Sequence, residues 1–169
     1  QAIALLQQLI AIPSYSSEED KTADLLVAFV QQHGFTPQRI GNNVILRSKQ
    51  NDASKPTVLL NSHHDTVKAN ASWTFDPFKA TEQEGKLIGL GSNDAGASLV
   101  CLMATFVSFY AAENLGFNLV VAATAEEEPF LPREQLMRIC KFSAALLIFV
   151  AATLVLGIYV GTAGYITWS

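Results

Sequence analysis

Apolar residues recur at helical spacing from the first positions of the chain, with Leu5, Leu6, Leu9 and Ile10 on one stripe, and Pro13 ends the helix they predict. A second helix is expected with Ser17 as its cap and Asp20 in its first turn, where a carboxylate favours the exposed N–H groups. Ala23, Leu26, Val27 and Val30 form its apolar face, and Gly34 closes it after His33. The period then shortens. Phe35 to Ile40, Val44 to Arg47 after the Gly41-Asn42-Asn43 turn, and Thr57 to Ser62 read as strands. The unbroken Val58-Leu59-Leu60 run predicts a strand covered on both faces. Phe75-Asp76-Pro77-Phe78 and the Gly85 turn predict a small hairpin leading to Leu87-Ile88-Gly89. A helix from Ala97 to about Glu113 follows, with Leu99, Leu102, Met103, Phe106 and Phe109 inward, then a strand from Phe117 to Ala123. This strand, helix, strand succession predicts an α/β fold: an open, mostly parallel sheet with flanking helices.

Composition changes the picture at the C-terminus. Half of the 169 residues are hydrophobic and 15% are charged, but the apolar excess is concentrated late: no charged residue occurs between Phe142 and Ser169. A bilayer crossing needs roughly 20 residues. Residues 142–166 are therefore expected to form a transmembrane or apolar helix, with Gly157 and Gly161 as a small-residue face and Tyr165 and Trp168 near its end. A core helix or strand is the plainer alternative. Arg133, Arg138 and Lys141 place a basic linker over 129–141 and favour a cytoplasmic location for the preceding domain, residues 1–128, anchored to the membrane through the tail. The first ten residues lack the basic start of a signal peptide, and the initial Gln suggests that the true N-terminus lies upstream.

The net charge of −4, with no basic cluster beyond those three residues, argues against a nucleic-acid binder. Cys101 and Cys140 have no metal-type spacing and report no oxidising compartment.

Candidate chemistry lies where apolar runs stop. In Leu59-Leu60-Asn61-Ser62-His63-His64-Asp65-Thr66-Val67, alternate residues His63 and Asp65 point the same way on an extended segment, and His64 points to the other side. A carboxylate beside a ligating imidazole can accept its second ring N–H and fix its tautomer. Asp94 follows in Gly89-Leu90-Gly91-Ser92-Asn93-Asp94-Ala95-Gly96, just before a helix, and Glu126-Glu127-Glu128 follow an apolar strand. Each cluster has an ordinary reading: a solvent-facing histidine, a helix cap, an acidic turn. Taken together they suggest a binuclear metal centre in which one carboxylate bridges and a neighbouring one serves as general base.

The wording of these segments, Asn61-Ser62-His63-His64-Asp65-Thr66-Val67, Gly89-Leu90-Gly91-Ser92-Asn93-Asp94 and Ala125-Glu126-Glu127-Glu128, resembles the metallopeptidase M20 family. It is especially similar to the branch of acetylornithine deacetylases and succinyl-diaminopimelate desuccinylases, as are Leu9-Ile10-Ala11-Ile12-Pro13-Ser14 and Gly41-Asn42-Asn43-Val44. The resemblance runs from residue 1 to about 128. It implies a zinc-dependent hydrolase with two Zn2+ ions, cobalt being an alternative ion, acting on an N-acyl amino acid such as N-acetylornithine in arginine biosynthesis. By the same resemblance His63 binds one zinc, Asp94 bridges both and Glu128 binds the other. Asp65 orients His63, and Glu127 is the base that activates the attacking water.

The family pattern also calls for a further acidic ligand, a histidine near the C-terminus and an inserted lid domain. Glu134 is the one acid after Glu128, and no histidine follows His64. The expectation is a partial zinc-hydrolase catalytic domain with weak or absent activity, followed by an unrelated apolar segment. A one-ion hydrolase using His63, Asp94 and Glu128, and a non-catalytic membrane-anchored binding or scaffold protein with a degenerate hydrolase domain, are the alternatives. The acyl group and the oligomeric state are left undetermined by the sequence.

Overall fold

The computed structural model describes residues 1–125 and 150–151. Two helices open the chain. Helix α1 (Ala2–Ile10) buries Leu5, Leu6, Leu9 and Ile10, the stripe its apolar spacing predicts. Helix α2 (Asp20–Gln32) buries Thr22, Ala23, Leu26 and Val30. Ser17 is not its cap. The helix begins after Glu19, and the Ser17 N–H donates to Glu19 Oε1 at 2.6 Å across a turn in which Ser17 has φ 71°.

Strands β1 (Gln38–Ile40), β2 (Asn43–Arg47) and β3 (Thr57–His63) follow, then a separate hairpin of β4 (Thr81–Gln83) and β5 (Lys86–Ile88). Glu84 and Gly85, both at positive φ, make the hairpin turn, a pair of conformations whose twist matches that of the flanking strands. Helix α3 (Ser98–Phe109) leads into β6 (Asn118–Thr124), and Val150–Ala151 form a short β7. The main sheet has the order β1-β2-β6-β3-β7.

This sheet is mixed rather than mostly parallel. β3 is parallel to both β6 and β7, whereas β1 with β2 and β2 with β6 are antiparallel. The β1–β2 connection is too short for a parallel crossover, which needs a dozen or more residues, and so fixes the first antiparallel pair. The β3-to-β6 connection, which carries α3, is long enough to return the chain in the same direction.

Every residue of β6 is buried, as befits a central strand. Its side chains alternate: Leu119, Val121 and Ala123 join the main core beneath the helices, while Val120 and Ala122 pack with Ile45 and Leu59 in a smaller cluster. Leu99, Val100, Met103 and Phe106 bring α3 onto that core, but Phe109 is exposed rather than inward. At 3.6 residues per turn the stripe from Leu99 through Met103 and Phe106 has rotated away by Phe109.

Of the helix expected over 142–166, only Val150–Ala151 are described, and they pair with Leu60 and Asn61 of β3 as extended backbone. The rest of that span and the linker over 129–141 lie outside the described residues. Among the described residues no helix is long and apolar enough to cross a membrane.

Candidate metal centre

Parallel pairing of β3 and β6, with His63 opposite Thr124, brings the C-terminal ends of two strands to one rim of the sheet. The ladder continues one step further through the His64 N–H, which donates to the Thr124 carbonyl at 2.9 Å. Thr66 is then tied to the loop after α1: its N–H donates to the Ser14 carbonyl at 2.7 Å. His63 and Asp65 thus sit on a short extended segment held from both sides.

The two side chains meet as alternation requires. His63 Nδ1 is 3.0 Å from Asp65 Oδ1, and Asp65 Oδ2 accepts the Ser16 hydroxyl at 2.8 Å. Burial would raise the Asp65 carboxyl, but the hydrogen bonds from His63 and Ser16 outweigh it and hold the group below the usual carboxylate range. An ionised carboxylate only accepts, so the His63 nitrogen facing it carries a hydrogen.

Asp94 reaches the same imidazole from the other side, with Oδ1 3.2 Å from His63 Nε2. It lies in a kinked turn, Ser92–Ala97, that closes through a hydrogen bond from the Gly96 N–H to the Gly91 carbonyl at 2.9 Å. Glycine is required at both ends. Gly91 has φ 73°, and a Cβ there would fall 2.6 Å from Thr66 Cγ2; a Cβ on Gly96 would fall 2.6 Å from the Gly91 carbonyl oxygen. Asp94 has φ −116° and ψ 99°, outside helical geometry, and no side-chain cap is made at the start of this turn or of α3. The carboxylate projects instead toward His63 and solvent, with its side chain 74% exposed.

With a hydrogen already on Nδ1, a neutral His63 presents a lone pair to an Asp94 oxygen, and two acceptors 3.2 Å apart repel unless a cation lies between them. A proton on Nε2 satisfies this arrangement, and so does a metal ion. Two ligands at zinc bond lengths and a tetrahedral angle stand about 3.3 Å apart, so this nitrogen and oxygen suit one ion. Among the described residues no group of three or more His, Cys, Asp or Glu side chains able to hold a metal is found. Glu127 and Glu128 lie outside the described residues. Ala125, which precedes the triplet, is held at this rim by its N–H to Asn43 Oδ1 at 3.2 Å.

His64 points to the opposite side of the segment, as alternation predicts, and is 6% exposed. Its Nδ1 lies 2.9 Å from Thr22 Oγ1 and its Nε2 3.1 Å from the Asn42 carbonyl oxygen. Burial is the main cause that lowers its pKa from about 6.5 to about 4. A base held neutral in the fold but charged in the unfolded chain stabilises above its unfolded pKa, and the contribution is lost as pH falls through the folded value. The expected result is a loss on the order of 3 kcal/mol between about pH 6.5 and 4, by urea unfolding in chelator, and a smaller pH slope in His64→Gln.

Pattern marks Asn42 and Asn43 only as a turn and a family resemblance, and it does not distinguish Ser16 or Thr22 from their polar neighbours. Ser16 lies in a polar run whose composition signals helix capping, and Thr22 is one polar position on a helix whose pattern is dominated by its apolar stripe.

The family model for peptidase family M20/M25/M40 matches residues 59–136. Over 139 residues the chain is 27% identical to a succinyl-diaminopimelate desuccinylase of Delftia acidovorans, covering 76% of this chain and 36% of the relative. It is 33% identical over 140 residues to an acetylornithine deacetylase of Proteus mirabilis, covering 75% of this chain and 35% of that one. The chain therefore spans about a third of the length of the curated relatives it matches. Among solved structures, human carnosine dipeptidase 1 superposes with a TM-score of 0.63 at 21% identity, over 85% of this chain and 37% of the other. A Bacillus subtilis dinuclear metal binding peptidase of the M20 family superposes with a TM-score of 0.52 at 14% identity, over 72% and 33%. At these identities the structural likeness speaks for the fold.

Proposed function

The chain belongs to peptidase family M20/M25/M40, and from that membership we propose that it forms part of the catalytic domain of a zinc-dependent amidohydrolase that deacylates N-acyl amino acids such as N-acetylornithine or an N-succinylated counterpart. The observation that carries the reading is the imidazole of His63 set between two carboxylates, with Asp65 on Nδ1 and Asp94 on Nε2. That geometry leaves Nε2 and an Asp94 oxygen facing one another as a pair of donors for a cation.

In this reading His63 and Asp94 would hold one zinc, and Glu128 together with Asp94 would hold a second. When bound, zinc supplies a Lewis acid that polarises the amide carbonyl and makes the attacking water more acidic. Asp65 keeps the hydrogen of His63 on Nδ1, so that the lone pair stays on Nε2. Glu127 takes a proton from the attacking water and delivers it to the departing amine nitrogen. The acyl group leaves as acetate or succinate, and the amino acid leaves with a free amine.

The 169-residue chain assayed by itself is expected to turn over slowly, since Glu134 is the one acid after Glu128 and no histidine follows His64. The test is release of acetate from N-acetylornithine, and of succinate from N-succinyl-diaminopimelate, by zinc-loaded protein. Slow release abolished by a chelator, restored by zinc and lost in Glu127→Gln supports the reading. Protein that neither binds zinc nor exceeds the Glu127→Gln background overturns it.

A further inference from the structure

The segment carrying His63 and Asp65 is held from behind by a residue that the proposed chemistry leaves unused. His64 is buried between Thr22 of α2 and the Asn42 carbonyl in the β1–β2 turn. Its hydrogen positions follow from its partners. A carbonyl oxygen only accepts, so Nε2 must carry a hydrogen.

For Nδ1 there are two arrangements. The Thr22 hydroxyl lies 3.0 Å from the Glu19 carbonyl as well as 2.9 Å from Nδ1, and it has one hydrogen to give. If it gives that hydrogen to the carbonyl, Nδ1 must donate too, leaving a buried imidazolium whose ring nitrogens meet only a hydroxyl and a carbonyl. Burying a charge with so little compensation is costly. The Glu19 carbonyl already accepts the Ala23 N–H at 2.9 Å, so it does not need the hydroxyl. The other arrangement, a neutral ring with Nδ1 accepting from Thr22, satisfies every group.

The far end of this contact is itself anchored. Asn42 Nδ2 donates to Glu19 Oε2 at 3.2 Å, and the Glu19 side chain is buried beneath the turn before α2. Asn43, the next residue and the first of β2, holds Ala125 just past the end of β6. One turn therefore touches the ends of both strands on which the proposed chemistry rests.

We propose that His64 is a positioning residue: fixed as the Nε2–H tautomer between Thr22 and Asn42, it sets the direction in which the chain leaves β3 and thereby aims His63 Nε2 at Asp94. It acts through the backbone of its neighbours and touches no reacting atom. The inference rests on the proposed function for the identity of His63 and Asp94 as ligands.

The experiment uses the full 169-residue chain, wild type and the variants Thr22→Ser, Thr22→Val and His63→Ala. Imidazole 15N NMR reads the tautomer of His64, and competition with a chromogenic chelator reads zinc affinity. Wild type should show His64 protonated on Nε2 and unprotonated on Nδ1. Thr22→Ser keeps the hydroxyl and should bind zinc within about twofold of wild type, while the near-isosteric Thr22→Val should bind about 5-fold more weakly, less than the roughly 10-fold or more that follows loss of a ligand's direct partner, because Thr22 reaches His63 only through His64 and the backbone. A His64 proton on Nδ1, or Thr22→Val with wild-type affinity, overturns the positioning role. Zinc binding unchanged in His63→Ala, or absent from wild type, overturns the ligand reading instead, and the imidazole spectrum still decides the tautomer.

Discussion

Replacing His63 with alanine should reduce zinc affinity at least 100-fold and abolish any deacylase turnover. The imidazole faces Asp94 with a ring nitrogen at the rim, with its side chain 11% exposed and both ring nitrogens engaged by carboxylates. Loss of an outer partner typically costs 10 to 100-fold in metal affinity, and loss of the ligand itself should exceed that. The same variant separates binding from folding. Zinc at 100 times its Kd should add about 2.7 kcal/mol to the stability of wild type, read as a rise in the thermal midpoint, and nothing to the variant. A variant that still gains stability with zinc would place the ion elsewhere.

Gly96→Ala should be the most damaging of the conservative changes, destabilising the chain by about 3 kcal/mol. A methyl there would stand 2.6 Å from the Gly91 carbonyl oxygen and 2.7 Å from Leu6 Cδ1. Leucine can rotate, but the carbonyl cannot yield without opening the hydrogen bond that closes the Asp94 turn. The stability loss should therefore come with weakened zinc binding. Gly116→Ala, where no atom lies within 4 Å of the added methyl, is the control and should stay within about 0.5 kcal/mol of wild type in urea unfolding.

Much of this is legible in the amino-acid pattern. The stripes of α1 and α2 and the alternation that turns His63 and Asp65 to one side follow from period alone, because these segments bury a single face. What pattern does not carry is of three kinds. The direction of β2 relative to β6 is a tertiary choice that propensity does not encode, so the pattern predicts a mostly parallel sheet where the sheet is mixed. The hydrogen-bond partners Ser16, Thr22 and Asn42 sit 49, 42 and 22 residues from the groups they serve. Pattern has no access to such pairs. Phe109 shows a third limit: an apolar residue at the end of a helix keeps its hydrophobic character after rotation has carried it off the core.

The register of β3 against β6 also says when the site can exist. Thr57 to His63 meet Asn118 to Thr124 only after some sixty intervening residues have been closed into a loop, and the Asp94 turn lies inside that loop. Distant pairings of this kind are costly in chain entropy and form slowly. A metal held at this rim is therefore expected to act on the finished molecule, slowing its unfolding rather than guiding its assembly.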